Sequence, residues 1–231
     1  MRKLAAAALL GLSLVGAPVF AQSITDTPED FLDPNSLAAQ GCMKVGDCRK
    51  GVIRITSLER LIIHYGPGWL EPGMEKEMAA LIEEINAIGV DLYLASDFYF
   101  LKDVRGVYYT DNNGMYMNEA RGHDAKAFLS VLRHEGWHAA QDCMAGTLDN
   151  SMVAIILDPA EIPDPVKMMT EVRYKFFAPR AIPWEQEAIF AGAVPNMTVD
   201  ALKACSVGSM WNVYTPTPKT EEWLKQNGFM K

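Results

Sequence analysis

Beyond its opening residues the chain has no apolar run long enough to cross a bilayer. The longest, Met152 to Leu157, falls far short of the roughly 20 residues a spanning helix needs. Positive charge is scarce. Twenty-one Lys and Arg face twenty-nine Asp and Glu, a formal net charge of −8 that becomes −10 once Arg2 and Lys3 are subtracted. Such a balance disfavours nucleic acid and anionic membranes as partners. There are only four cysteines, and none lies in a C-x-x-C spacing, which argues against thiolate-held zinc. Internal repeats and low-complexity linkers are absent, so the length suits one well-packed domain.

The start of the chain has the pattern of an export signal. Arg2 and Lys3 precede an apolar stretch from Leu4 to Val15, and Val19-Phe20-Ala21 offers small residues for cleavage. Gly16 and Pro18 end the stretch too early for an anchor, and no cysteine follows the cleavage position, which disfavours a lipoprotein. Residues 1–21 are therefore read as a signal peptide. A mature chain from Gln22 is expected in the periplasm or outside the cell.

In that compartment an even number of cysteines predicts disulfides, and Cys42, Cys48, Cys143 and Cys205 allow three pairings. Cys42 and Cys48 flank a short loop containing glycine, which favours a local bridge and leaves Cys143 for Cys205. A bridge closing so long a loop contributes roughly 3–5 kcal/mol in the chain-entropy model.

Residues 22–51 are rich in Pro, Asp, Asn and Ser and read as an irregular N-terminal arm, with residues 52–231 as a single domain. Val52 to Tyr65 mixes strand-like and helix-like spacing. Glu71-Pro72 opens a helix carrying Met78, Leu81, Ile82, Ile85 and Ile88, closed by Gly89. Val90 to Leu94 reads as a short strand. Two alternating runs, 106–110 and 115–118, surround an Asn-Gly turn and predict a hairpin. Past Gly146 the chain reads as helices broken by prolines. One begins at Pro165 and runs to about Phe177, Pro179 and Pro183 bracket a turn, and Trp184 to Ala193 forms another. Thr198 and Thr220 are expected N-caps.

One motif carries chemistry. His134-Glu135-Gly136-Trp137-His138 lies in an uninterrupted helix-compatible run from Asp124 to Met144. Residues four apart share a helix face, so both imidazoles can grip one metal ion, with Glu135 placed to take a proton from a water there. Phe128, Val131, Leu132 and Trp137 give this helix an apolar setting, in which two histidines and a glutamate without a partner would be costly to bury. Thirteen methionines are scattered, not clustered as a copper site requires, and read as packing.

The motif and its uncharged flanks resemble the zincin metallopeptidases. A metzincin would carry a histidine at the position of Met144, which excludes that branch. The gluzincin branch supplies its third ligand from a glutamate on a second helix, and Trp184-Glu185-Gln186-Glu187-Ala188-Ile189 resembles that helix. Glu185, with Ala188 three residues on, fits better than Glu187, which is followed at that distance by Phe190. The resemblance departs at Ile189, where an acidic residue often orients a histidine; Asp142 and Glu187 are candidates for that task.

The resemblance, spanning roughly Ala125 to Gly192, implies an α+β zincin-like catalytic domain. A small antiparallel sheet or hairpin would pack on the motif helix, and the C-terminal half would be mostly helical. It implies one catalytic Zn2+ on His134, His138 and Glu185, Glu135 as general base, and a peptide or protein substrate. Tyr174, Tyr214, Tyr109 and Tyr116 are candidate donors to the oxyanion. A zincin-like binding module with little turnover and a cell-wall amidase are the competing expectations.

Overall fold

A computed structural model describes residues 32–146, 148 and 152–229. The expected signal peptide, the first ten residues of the arm and the Asn150-Ser151 junction lie outside the described residues.

The arm departs from expectation. Leu37–Val45 is a helix, α1, capped at its start by the Ser36 hydroxyl, which accepts from Ala39 N–H, and at its end by Gly46 in the left-handed region. A run of good helix formers between two capping residues outweighs the turn-rich composition around it. Met43 is fully buried against Tyr99, Phe100 and Tyr116, so this segment is part of the packed body.

The ambiguous Val52–Tyr65 stretch resolves into strand β1, Val52–Arg54, and helix α2, Leu58–Tyr65. Helix α3, Glu75–Ala87, starts a few residues past Pro72 and buries Met78, Leu81, Ile82 and Ile85, the spacing of one helix face. Strands β2, Asp91–Ala95, β3, Gly106–Tyr109, and β4, Gly114–Asn118, follow. The hairpin forms as expected, with Gly106 opposite Met117 and Tyr109 opposite Gly114.

The expectation of an antiparallel sheet is corrected. The strand order is β1-β2-β4-β3, with β1–β2 and β3–β4 antiparallel but β2–β4 parallel, Asp91 opposite Gly114. Every residue of β4 is buried, and such a strand needs a partner on each side to satisfy its backbone. The returning arm of the hairpin therefore lies beside β2 and runs in the same direction. Among the described residues β3 is left with a neighbour on one side only.

Helices α4, Ala125–Met144, α5, Asp164–Tyr174, α6, Ile182–Ala193, α7, Met197–Ser206, α8, Met210–Val213, and α9, Glu221–Gln226, make the C-terminal half helical. The α+β expectation holds in this coarse form. Pro183 sits in the first turn of α6, not outside it. Thr220 caps α9 by accepting from Trp223 N–H. Thr198 caps nothing; it lies inside α7 and its hydroxyl donates to the Arg133 carbonyl at 2.9 Å. Helix α4 is the centre of the molecule, with Leu132, Trp137, Ala139 and Ala140 fully buried among α3, α6, α7 and the sheet. Both disulfides take the expected pairing, Cys42–Cys48 and Cys143–Cys205, the second tying the end of α4 to α7. No described helix is long and apolar enough to cross a membrane.

Candidate metal centre

Asp124 starts α4 where the sequence placed it, its carboxylate accepting from Ala127 N–H at 2.9 Å. The helix continues unbroken through the motif. His134 and His138, one turn apart, present their rings on the same face, 4.9 Å between centroids and nearly perpendicular. Helix α6 crosses that face at Gly192, where a Cβ would stand 3.0 Å from the Ser130 carbonyl oxygen. The lack of a side chain permits this approach, and the Ser130 hydroxyl donates to the Gly192 carbonyl at 3.1 Å across it. The crossing sets Glu185, in the first turn of α6, opposite the two imidazoles. On the other side β3 passes over Glu135 at Gly106, where a Cβ would lie 2.7 Å from Val131 Cγ1 and 3.0 Å from Glu135 Cγ.

The Glu185 carboxylate faces both rings, with Oε2 3.5 Å from His134 Nε2 and Oε1 3.7 Å from His138 Nε2. Ligand atoms of His134, His138 and Glu185 lie within 4.8 Å of one another, and the group could hold a metal ion. A tetrahedral ion with bonds of about 2.0–2.1 Å spaces its ligand atoms by roughly 3.4 Å, close to the two separations seen here. Glu185 Oε2 is buried and accepts no hydrogen bond, an expensive state that a cation would relieve. The residues present therefore fit a metal.

Charge at the site points the same way. Burial works against an ionised Glu185, yet the two imidazoles and Tyr174 hold its carboxyl down to about 2. Burial pulls His134 down, but the carboxylates of Glu185 and Glu135 outweigh it and raise its pKa. Burial and the adjacent charge of His134 press His138 down to about 4, leaving that ring neutral. Burial lifts Glu135 to about 7, with Glu185 adding to the rise and His134 and the Tyr108 N–H opposing it. Positive charge is thus favoured where the three donor groups converge, the condition a divalent cation meets.

The group that orients His138 is neither of the candidates Asp142 and Glu187 directly. His138 Nδ1 lies 2.8 Å from Gln141 Oε1, three residues along the same helix. The Gln141 amide is fixed in that sense because its Nε2 donates to Glu187 Oε2 at 2.8 Å and to the Trp184 carbonyl at 3.2 Å. Gln141 Oε1 therefore accepts a hydrogen bond from the Nδ1–H of His138, which leaves Nε2 with its lone pair toward the site. Gln141 is an i+3 neighbour of the motif, a spacing visible in the sequence, but only the fold brings Glu187 behind it.

Glu187, the second choice for third ligand, is fully buried away from the imidazoles. It accepts from Trp137 Nε1 at 3.1 Å, Gln141 Nε2 at 2.8 Å, Ile156 N at 2.8 Å and Leu157 N at 2.6 Å. Asp142 instead accepts from the Tyr108 hydroxyl at 2.7 Å. Of the four candidate tyrosines, only Tyr174 lines the cleft over the site, on the wall with Glu185. Burial and the charge of Glu185 raise its pKa, so it is a protonated donor. Tyr116 stacks on Tyr93 in a separate apolar cluster that Tyr109 flanks, and Tyr214 packs against the main core. His64 pairs with Glu119 at 3.0 Å and His123 lies against Tyr65, both remote from the site.

The cleft has a volume of about 850 Å³; the three donors and Glu135 share its lining with the chain from Asp103 to Tyr108, and with Arg173, Tyr174 and Trp184. In comparison with known proteins, no family model matches the chain, and no curated protein and no solved structure matches it.

Proposed function

We propose that the chain is an exported zinc metallopeptidase. The observation that carries this reading is the convergence of His134, His138 and Glu185 in a cleft that also holds Glu135, which is left out of the donor group. Two imidazole nitrogens and one carboxylate favour zinc over the all-oxygen cages of calcium and magnesium, and three protein ligands leave a position open for chemistry. The two disulfides accord with export.

A peptide substrate is supported by the one-sided edge strand β3, which runs along the cleft beside α4. An extended chain laid on that edge would pair with backbone groups other than the Tyr108 N–H, which Glu135 engages, and would pass over Glu135. Bound zinc would supply Lewis acidity, polarising the scissile carbonyl and acidifying a water. Glu135 takes the proton from the attacking water and delivers it to the departing nitrogen. The Tyr174 hydroxyl, beside Glu185 on the cleft wall, is the proposed donor to the oxygen that gains charge. Gln141 and Glu187 hold the His138 ring in its orientation throughout.

The test is cleavage of a peptide library by wild type and by Glu135→Gln. Wild type is expected to cleave, to stop on chelation and to recover with zinc. The variant should keep its zinc and turn over about 10²–10⁴ times more slowly. Equal rates, or none in either protein, would contradict the reading in favour of a module that only binds.

A further inference from the structure

Five large apolar side chains within ten consecutive residues stand open to solvent: Met168 at 64% exposure, Met169 at 52%, Val172 at 66%, Phe176 at 86% and Phe177 at 70%. Met168, Met169 and Val172 share the outward face of α5, and Phe176-Phe177 follow directly in the turn beyond it. Only Thr170 of α5 is buried, and the helix rests on α6. Exposed apolar groups scattered singly are ordinary, whereas this many in one patch mark a surface that meets something apolar.

Charge narrows what that is. Between residues 164 and 181 the charged side chains are Lys167, Arg173, Lys175 and Arg180 against Asp164, which pairs with Lys167 at 3.7 Å, and Glu171, a balance of +2, so the rest of the chain carries −10. Lys175 Nζ stands 4.8 Å from the centre of the Phe176 ring, an ammonium held beside an aromatic face. Apolar tips ringed by bases match an anionic lipid surface, where methionine and phenylalanine enter the acyl boundary and the bases meet phosphates. A second copy is disfavoured, because opposing two such faces would bring Lys175 and Arg180 of both copies together. The acidic remainder does not prevent approach, since charges beyond a Debye length of about 8 Å are screened at physiological salt.

We infer that the outward face of α5 and the Phe176-Phe177 turn dock the protein on anionic membrane surfaces. Net charge disfavours such surfaces as partners of the whole molecule, whereas here bases are gathered where the apolar groups are. Arg173, Tyr174 and Ala181 also line the cleft, so a docked molecule would hold its cleft beside the lipid. The inference rests on this surface alone and stands whether or not the site below it hydrolyses peptides.

Co-sedimentation of the protein, purified after export, with vesicles tests it. One set contains equal parts phosphatidylglycerol and phosphatidylcholine, the other phosphatidylcholine only. Wild type is expected to bind the anionic vesicles, less so in high salt. Phe176→Ser with Phe177→Ser should weaken binding about a hundredfold. Lys175→Glu with Arg180→Glu should reduce the preference for anionic lipid by at least about tenfold. Thermal midpoint and metal content should not move in either variant, since all four side chains are exposed. Absence of vesicle binding, or equal binding by wild type and the phenylalanine variant, would overturn the proposal. So would a self-association or capture of an acidic peptide that the same variants abolish while vesicles stay unbound.

Discussion

Glu187 is the most heavily engaged side chain near the site. It gathers four donors in the interior and passes its effect outward through one of them, Gln141, to His138. Replacing Gln141 with Leu keeps the bulk and removes the acceptor on Nδ1, which should weaken metal affinity about 10–100-fold with the fold intact. Competition with a chromophoric chelator would measure this. Glu187→Gln sets an amide against donors that needed a carboxylate, and is expected to cost about 2–3 kcal/mol of stability in denaturant titration as well as metal affinity. These two buried residues show what could be read beforehand. His134, Glu135 and His138 were legible because metal chemistry fixes their spacing on one helix, and Glu185 because its segment resembles the gluzincin ligand helix. Gln141 was legible only as a neighbour, and Glu187 only as one of two candidates for orienting a histidine, without the Gln141 link through which it acts. Its partners at Ile156 and Leu157 come from another segment through backbone N–H groups, which carry no sequence signature.

At the scale of elements, α4 is held beside α3 and α7 by one nearly buried ion pair. Arg133 donates to both oxygens of Glu77, at 2.7 and 2.6 Å, and Asn196 N at the start of α7 donates to the first of them at 2.6 Å. Burial alone would raise the Glu77 pKa, but Arg133 and the Asn196 N–H outweigh it and hold the carboxyl below its usual value. A carboxyl depressed in the folded state stabilises fully above its unfolded pKa of about 4.5, and that contribution is lost as pH falls through the folded value. Glu77→Gln should therefore lose about 3 kcal/mol at pH 7, with the gap to wild type closing as the two proteins are acidified together. Unfolding followed at several pH values would show it. The long elements were predictable from pattern: Asp124 as a cap and the absence of breakers place α4, and the periodic apolar face places α3. The parallel β2–β4 pairing was not, because alternation says which face is buried and nothing about the direction of the neighbour. Helix α1 was masked by the turn-forming residues around it.

For the whole molecule, the Cys143–Cys205 bridge closes a loop spanning 62 positions that includes α5, α6 and the cleft wall that carries Tyr174 and Glu185. The chain-entropy model gives it about 4 kcal/mol, so Cys143→Ser with Cys205→Ser should lower the melting midpoint by roughly 10 °C. Calorimetry of the two proteins under oxidising conditions would register the difference. The charge of the molecule teaches a related point about scale. A net value of −8 describes the far field, whereas α5 and its turn present the opposite sign over a short stretch. The central claim concerns a single point in this body, the convergence of His134, His138 and Glu185. Its most direct test is metal analysis of protein purified without chelators, followed by zinc titration. One zinc per chain is predicted, with affinity reduced by at least about a thousandfold in His138→Ala and in Glu185→Ala. A chain that binds no zinc, or binds it equally well without those side chains, would contradict the account.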